Sequence, residues 1–207
     1  MKLIDITREL TAAPVFPGDR APELVRVKRM ENGDLYNLTE LRCCLHNGTH
    51  ADAPRHFFPD GSTVDQIGLP VWFGDCLVAE ADGIMMGDDA EKLAADNSLS
   101  AGGRLLLKGD VSLSPSAAFV LSGTGIQLLG VEGQSVAAPE HAVPVHRQLL
   151  GAGMVLIEGL DLSAAEPGRY TLIAFPLLLA GCEGAPVRAV LARREELDLV
   201  ESFLKNR

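Results

Sequence analysis

A chain of 207 residues, 47% of them hydrophobic, is long enough for one domain with a full core. Its formal net charge of -10, with no cluster of Lys and Arg, argues against nucleic acid and anionic membrane surfaces as partners. No apolar run reaches the length of a bilayer span, and the charged, alternating start MKLIDITREL does not read as a signal peptide, so a cytoplasmic location is expected.

In chain order, Ile4 and Ile6 alternate with polar residues and suggest an opening strand. The Pro- and Gly-rich stretch TAAPVFPGDRAPE then reads as a long loop. Strands are expected from Glu23 to Met30 and from Tyr36 to His46, the latter ending near Asn47-Gly48. Residues 51–62 carry Pro54, Pro59 and Gly61, and no regular element is expected there. A strand follows over Val71–Ala81, interrupted at Gly74. Then the rhythm changes. Asp88–Asp96 is helical in composition, Arg104–Lys108 is a short apolar strand, and Ser114-Pro115 caps a helix running through Leu121. Ile126–Val131 is a strand, Val145–Leu150 a helix, and Met154–Glu158 a strand. Tyr170–Pro176 and Pro186–Ala192 complete the sheet. A β-rich first half followed by alternating α and β elements predicts one α/β domain with a mixed sheet.

Four cysteines, Cys43, Cys44, Cys76 and Cys182, form no CxxC pair, so a zinc ribbon or thioredoxin-like site is not expected and free thiols are. A serine nucleophile is also unsupported. The segment Gly133-Gln134-Ser135-Val136-Ala137 lacks the last glycine of a nucleophile elbow, and Pro139 blocks a long following helix. Gly123 and Gly125 begin a GxG that is not completed at dinucleotide-fingerprint spacing.

The chemistry gathers in HNGTHADAPRH. His46, His50, Asp52 and His56 stand at offsets of four, six and ten, all even. On an extended backbone, even offsets point to one side, so two imidazoles and a carboxylate can converge on one point. That donor set suits zinc or manganese, and an open position would admit a water suited to hydrolysis. His141, between two prolines, reads as a loop residue. Glu158 ends the apolar run Met154–Ile157, and a carboxylate there needs a partner or a cation. Arg188, in APVRAVL, reads as a buried cation that could meet a substrate carboxylate or a structural one.

The motif HxGTHxDxPxH, here His46 through His56, resembles the cyclase-type metal hydrolases, which include bacterial kynurenine formamidases and have isatin hydrolase as a relative. PVFPGD, HRQLLGAGMVLIEGL and YTLIAFPLLLAGCEGAPVRAVL extend the resemblance over nearly the whole chain. It implies a swivelling β/β/α domain, found as a homodimer or homotetramer. It implies His46, His50 and Asp52 as ligands of a first metal, with Asp52, His146 and Glu158 serving a second in two-metal members. One or two zinc ions are therefore expected, or manganese. His56 matches the general acid/base. One departure concerns the substrate: Phe16 stands where kynurenine formamidases carry a tryptophan before PGD. Phe16 keeps an aromatic wall without the indole donor.

The expected activity is hydrolysis of an amide-type bond in a small molecule by metal-activated water, with His56 passing a proton to the leaving amine. An arylformamidase acting on N-formyl-L-kynurenine comes first. A hydrolase of another cyclic amide, imide or lactone comes second. A metal-binding protein without turnover is third, and it would have no need of His56. Beyond the resemblance, Leu197, Val200, Phe203 and Leu204 form one apolar stripe, so 195–207 is expected to be a helical tail docked on its own domain or, in preference, on a second copy.

Overall fold

The computed structural model describes residues 3–193. Thirteen strands and three α-helices follow in order: β1 (Leu3–Asp5), β2 (Glu23–Lys28), β3 (Leu38–Arg42), β4 (His50–Asp52), β5 (Phe73–Glu80), β6 (Gly83–Met85), α1 (Gly87–Asp96), β7 (Arg104–Lys108), β8 (Val111–Leu113), α2 (Pro115–Gly123), β9 (Leu128–Val131), α3 (Ala142–Gly151), β10 (Val155–Glu158), β11 (Gly168–Ile173), β12 (Gly184–Pro186) and β13 (Val190–Arg193). The expected tail at 195–207 lies outside the described residues.

Nine strands make one mixed sheet in the order β1-β13-β11-β5-β7-β9-β10-β4-β12. Its centre, β5-β7-β9-β10, is parallel, and the flanking pairs are antiparallel. The parallel strands read as unbroken apolar runs (RLLLK, VLIE) because both of their faces are covered. Leu105, Leu107, Leu129 and Leu156 pack against Ala117, Leu121, Val145 and Leu149 of α2 and α3. Leu106, Leu128, Val155 and Ile157 pack on the opposite face with Ile6, Trp72, Leu172 and Leu191. The mixed α/β domain read from the sequence is the one observed.

The expected strand Pro186–Ala192 is in fact two. β12 lies at one edge of the sheet and β13 next to the other, yet only residues 187–189 join them. Those few residues span on the order of 14 Å at most. The sheet must therefore curl until its edges approach. Hydrogen bonds from Val187 N to Thr49 O (2.9 Å) and from Ile6 N to Ala189 O (3.0 Å) tie the two edges to this connection.

Residues 51–62 also depart from expectation. Ala51 and Asp52 belong to β4, and Pro54–His56 forms a 3₁₀ turn with Pro54 at its start. β4 is short but sits between β10 and β12, so its ladder is filled on both sides. The strand expected over Tyr36–His46 ends at Arg42, which leaves His46 in a turn. The helix read from Val145 begins earlier, at Ala142. Pro144 is tolerated in its first turn, and His141 is the residue that precedes the helix rather than part of a free loop.

Candidate metal centre

The site lies at the C-terminal ends of the parallel strands, where open α/β sheets commonly gather their chemistry. Glu158 is the last residue of β10. Across the antiparallel ladder, His50 stands directly opposite Glu158, and Asp52 opposite Leu156. These four side chains share one face by strand alternation. It is the face covered by α3, since Leu156 packs with Val145 and Leu149. His146 lies on the buried stripe of α3 with Val145, Leu149 and Leu150, and so reaches the same place from above.

His46 arrives differently. Its turn is clamped to the end of β10 by Thr49, whose hydroxyl donates to Gly159 O (2.6 Å) and accepts from Arg8 N (2.9 Å). Gly159 has φ +70, and a Cβ there would meet Gly48 O at 2.4 Å, so only glycine lets the turn approach this closely. On its other side His46 rests against Gly184, which faces Asp52 in the β4–β12 ladder.

Five donors converge. His46 Nδ1 is 2.9 Å from Asp52 Oδ1, and His50 Nε2 is 3.4 Å from both Asp52 Oδ1 and Glu158 Oε2. His146 Nε2 is 3.1 Å from Glu158 Oε1 and 3.7 Å from Asp52 Oδ2. The donor atoms fall into two groups, His46-His50-Asp52 and Asp52-His146-Glu158, each within 4.8 Å, and Asp52 belongs to both. His50, Asp52, His146 and Glu158 are buried.

The electrostatics follow from crowding. Burial opposes a charge on His50, but Glu158 and Asp52 outweigh it and raise the imidazole to about 9. His46 and His146 are likewise raised against their burial, by Asp52 and by Glu158 respectively. Asp52 is held well below the usual carboxylate range, since His46 and His50 overcome the opposing effect of burial. Glu158 is lowered too: burial and Asp52 oppose its charge, but His146 and His50 prevail.

These residues fit a divalent cation. Among the described residues, both oxygens of Asp52 are buried without a hydrogen-bond partner, which is costly for polar atoms unless something else binds there. His50 and His146 direct Nδ1 at the backbone carbonyls of Gly48 (3.0 Å) and Ala142 (2.7 Å). That fixes Nε2 as the atom free to face the carboxylates, the usual arrangement of a ligating imidazole. A mixed imidazole and carboxylate set suits a borderline ion such as zinc or manganese.

His56 stands at the cavity mouth in the 3₁₀ turn, its ring 4.3 Å from that of His46 and 6.1 Å from that of His146. It belongs to neither donor group. Partial burial and the nearby imidazoles lower its pKa against the pull of Asp52 and Glu158, which favours a neutral ring able to take a proton. The cavity, of about 260 Å³, is also lined by Phe16, Asp19, Phe57, Gln134 and Ser135. Phe16 is 41% exposed and so is a wall of the cavity rather than a core residue. Phe57 stacks on His146 at 4.8 Å and 23°.

Arg188 is a correction. Its side chain is 74% exposed and ion-paired with Asp5, and it does not line this cavity. Val187 and Ala189 on either side are buried, so the residue between them faces out. The cavity residues Asp19, Phe57, Gln134 and Ser135, and Glu183 beside His46, are not assigned to the site from sequence, where Ser135 is considered only as a nucleophile and set aside. Phe57 directly follows the HxGTHxDxPxH motif and the other four lie within the segments named above, but nothing in their spacing distinguishes a site residue from a turn residue.

The position of His46 is testable through Gly184. A Cβ at 184 would lie 2.7 Å from His46 Cε1 and 2.9 Å from Ala51 O. Gly184→Ala is expected to displace the ring, weaken metal binding about tenfold or more, and cost roughly 1–3 kcal/mol of stability. Chelator competition and thermal melts would measure both. Unchanged affinity would show that the ring does not depend on this space.

Comparison with known proteins agrees with this geometry. Residues 4–138 match the family model described as "Putative cyclase". The kynurenine formamidase of Salinibacter ruber is 34% identical over 207 residues, covering 92% of this chain and 97% of that protein. A solved structure described as a potential metal-dependent hydrolase with cyclase activity superposes with a TM-score of 0.79 at 26% identity, covering 92% and 96% of the two chains. Isatin hydrolase A from Labrenzia aggregata shares the fold, with a TM-score of 0.80 at 20% identity and coverage of 92% and 93%. With its HxGTHxDxPxH turn, its two donor groups sharing Asp52 and these relatives along most of its length, the chain belongs to the cyclase family of metal-dependent hydrolases.

Proposed function

We propose that the protein is a metal-dependent hydrolase of non-peptide C–N bonds, an arylformamidase that converts N-formyl-L-kynurenine and water to L-kynurenine and formate. The observation that carries this reading is the pair of largely buried donor groups sharing Asp52, with His56, outside both groups, beside them in an aromatic-walled cavity. The near full-length similarity to a kynurenine formamidase supports the substrate class.

His46, His50 and Asp52 would hold one ion, and Asp52, His146 and Glu158 a second. Bound there, zinc or manganese supplies a Lewis acid and a water activated at neutral pH. Phe16 and Phe57 flank the aryl ring and orient the formamide towards the donor groups. His56 takes a proton at an imidazole nitrogen and delivers it to the leaving amine as the C–N bond breaks. Burial of the donor groups keeps bulk water out and strengthens each of these interactions. The enzyme is taken to act on its small-molecule substrate in the cytoplasm, as a homodimer or homotetramer. No helix among the described residues is long and apolar enough to cross a membrane.

Phe16 favours one second reading. Without an indole donor before PGD, the cavity could serve another cyclic amide, imide or lactone, in the manner of an isatin hydrolase. Assaying metal-reconstituted protein against N-formyl-L-kynurenine, formanilide, isatin and a simple lactone separates the two. Preferential turnover of the formamides is expected. Preference for isatin or the lactone would replace the first reading by the second, and no turnover of any substrate would leave a metal-binding protein.

A further inference from the structure

The three site imidazoles are not oriented alike. His50 and His146 are fixed through backbone carbonyls, which no substitution removes. His46 has no such anchor. Its Nδ1 faces Asp52, and its Nε2 is buried without a hydrogen-bond partner among the described residues. An imidazole that offers a lone pair at Nδ1 carries its proton at Nε2, and that N–H then needs an acceptor.

Glu183 is the carboxylate beside it. Its Oε1 lies 3.5 Å from His46 Nε2, and its side chain is 41% exposed, so a small rotation closes the gap at little cost. Its backbone is held in place. Glu183 O accepts from Ala53 N (2.9 Å), and the next residue, Gly184, enters the ladder opposite Asp52. The same glycine leaves the space that His46 fills. One short segment thus shapes the pocket for the ring and supplies a carboxylate to its outer nitrogen.

We propose that Glu183 is the positioning residue of His46: it accepts the Nε2 proton, keeps Nδ1 directed at Asp52, and thereby sets the affinity of the metal site formed by His46, His50 and Asp52. The inference rests on the metal-centre reading above. A carboxylate behind a ligating imidazole fixes its tautomer and raises its basicity, and losing such a partner lowers metal affinity by about 10–100-fold.

The test is a zinc titration of the full-length, metal-free protein against a chromophoric chelator, with no substrate present. Glu183→Ala should weaken one zinc site by about 10–100-fold and leave the Asp52-His146-Glu158 site and the melting temperature of the metal-free protein unchanged. Glu183→Gln, whose amide oxygen still accepts an N–H, should recover most of the loss. Wild-type affinities in Glu183→Ala would overturn the proposal. So would a Glu183→Gln variant as weak as the alanine form, which would make Glu183 a ligand itself. Equal weakening of both sites would point to general disruption and also overturn it. Wild-type protein that binds no zinc would instead refute the metal-centre reading, and this inference with it.

Discussion

Replacing Asp52 with Ala is expected to strip the site of metal and abolish turnover. Asp52 is the one donor common to both groups, so neither group keeps three ligands without it. Losing a residue that merely orients a ligand costs about 10–100-fold in affinity or activity, and losing a shared ligand should exceed that. The metal-free fold should tolerate the change. Asp52 and Glu158 raise the proton affinity of the three histidines, so losing a carboxylate lowers that affinity again. Elemental analysis after zinc loading, paired with a melting curve of the metal-free variant, reads both effects. An Asp52→Ala variant that still carries two ions per chain would show that these groups are not the ligands.

A different signature is expected for His56→Ala. The ring stands outside both donor groups, so the metal content should match the wild type while turnover falls roughly 10²–10⁴-fold, the usual worth of a positioned acid/base group. The loss should shrink for substrates whose leaving amine is a weak base, because such an amine departs without taking up a proton. Comparing formanilide with its nitro-substituted analogue in both proteins measures this. A variant that loses metal would make His56 a ligand. An equal loss on both substrates would remove it from the proton path.

Parts of the site were legible for a physical reason, and parts by coincidence. Strand alternation correctly places His50 and Asp52 on one face, because β4 is an extended segment. The same parity does not account for His46 or His56. One sits in a turn held by Thr49 and the other in a 3₁₀ turn begun by Pro54, so their even offsets reflect no shared strand. The pairing of His146 with Glu158 came from resemblance alone. Its cause is visible only in three dimensions, where the buried stripe of α3 lies over the end of β10.

Arg188 shows the opposite failure. Apolar neighbours suggested burial, but the pattern is itself an alternation: Val187 and Ala189 point in, and Arg188 points out to Asp5.

The sequence by itself determined the donor types, the motif that holds four of the site residues, the apolar runs of the parallel core and the capped start of α2. Each is a local property, set by side-chain chemistry, by alternation or by the Ser114 hydroxyl that accepts from Ala117 N. Tertiary structure decided what depends on distant segments meeting. The pairing of β12 with β4 brings Glu183 and Gly184 to His46. The two residues lie more than a hundred positions along the chain from that histidine, and their contact with it exists only because β4 pairs with strands on both sides.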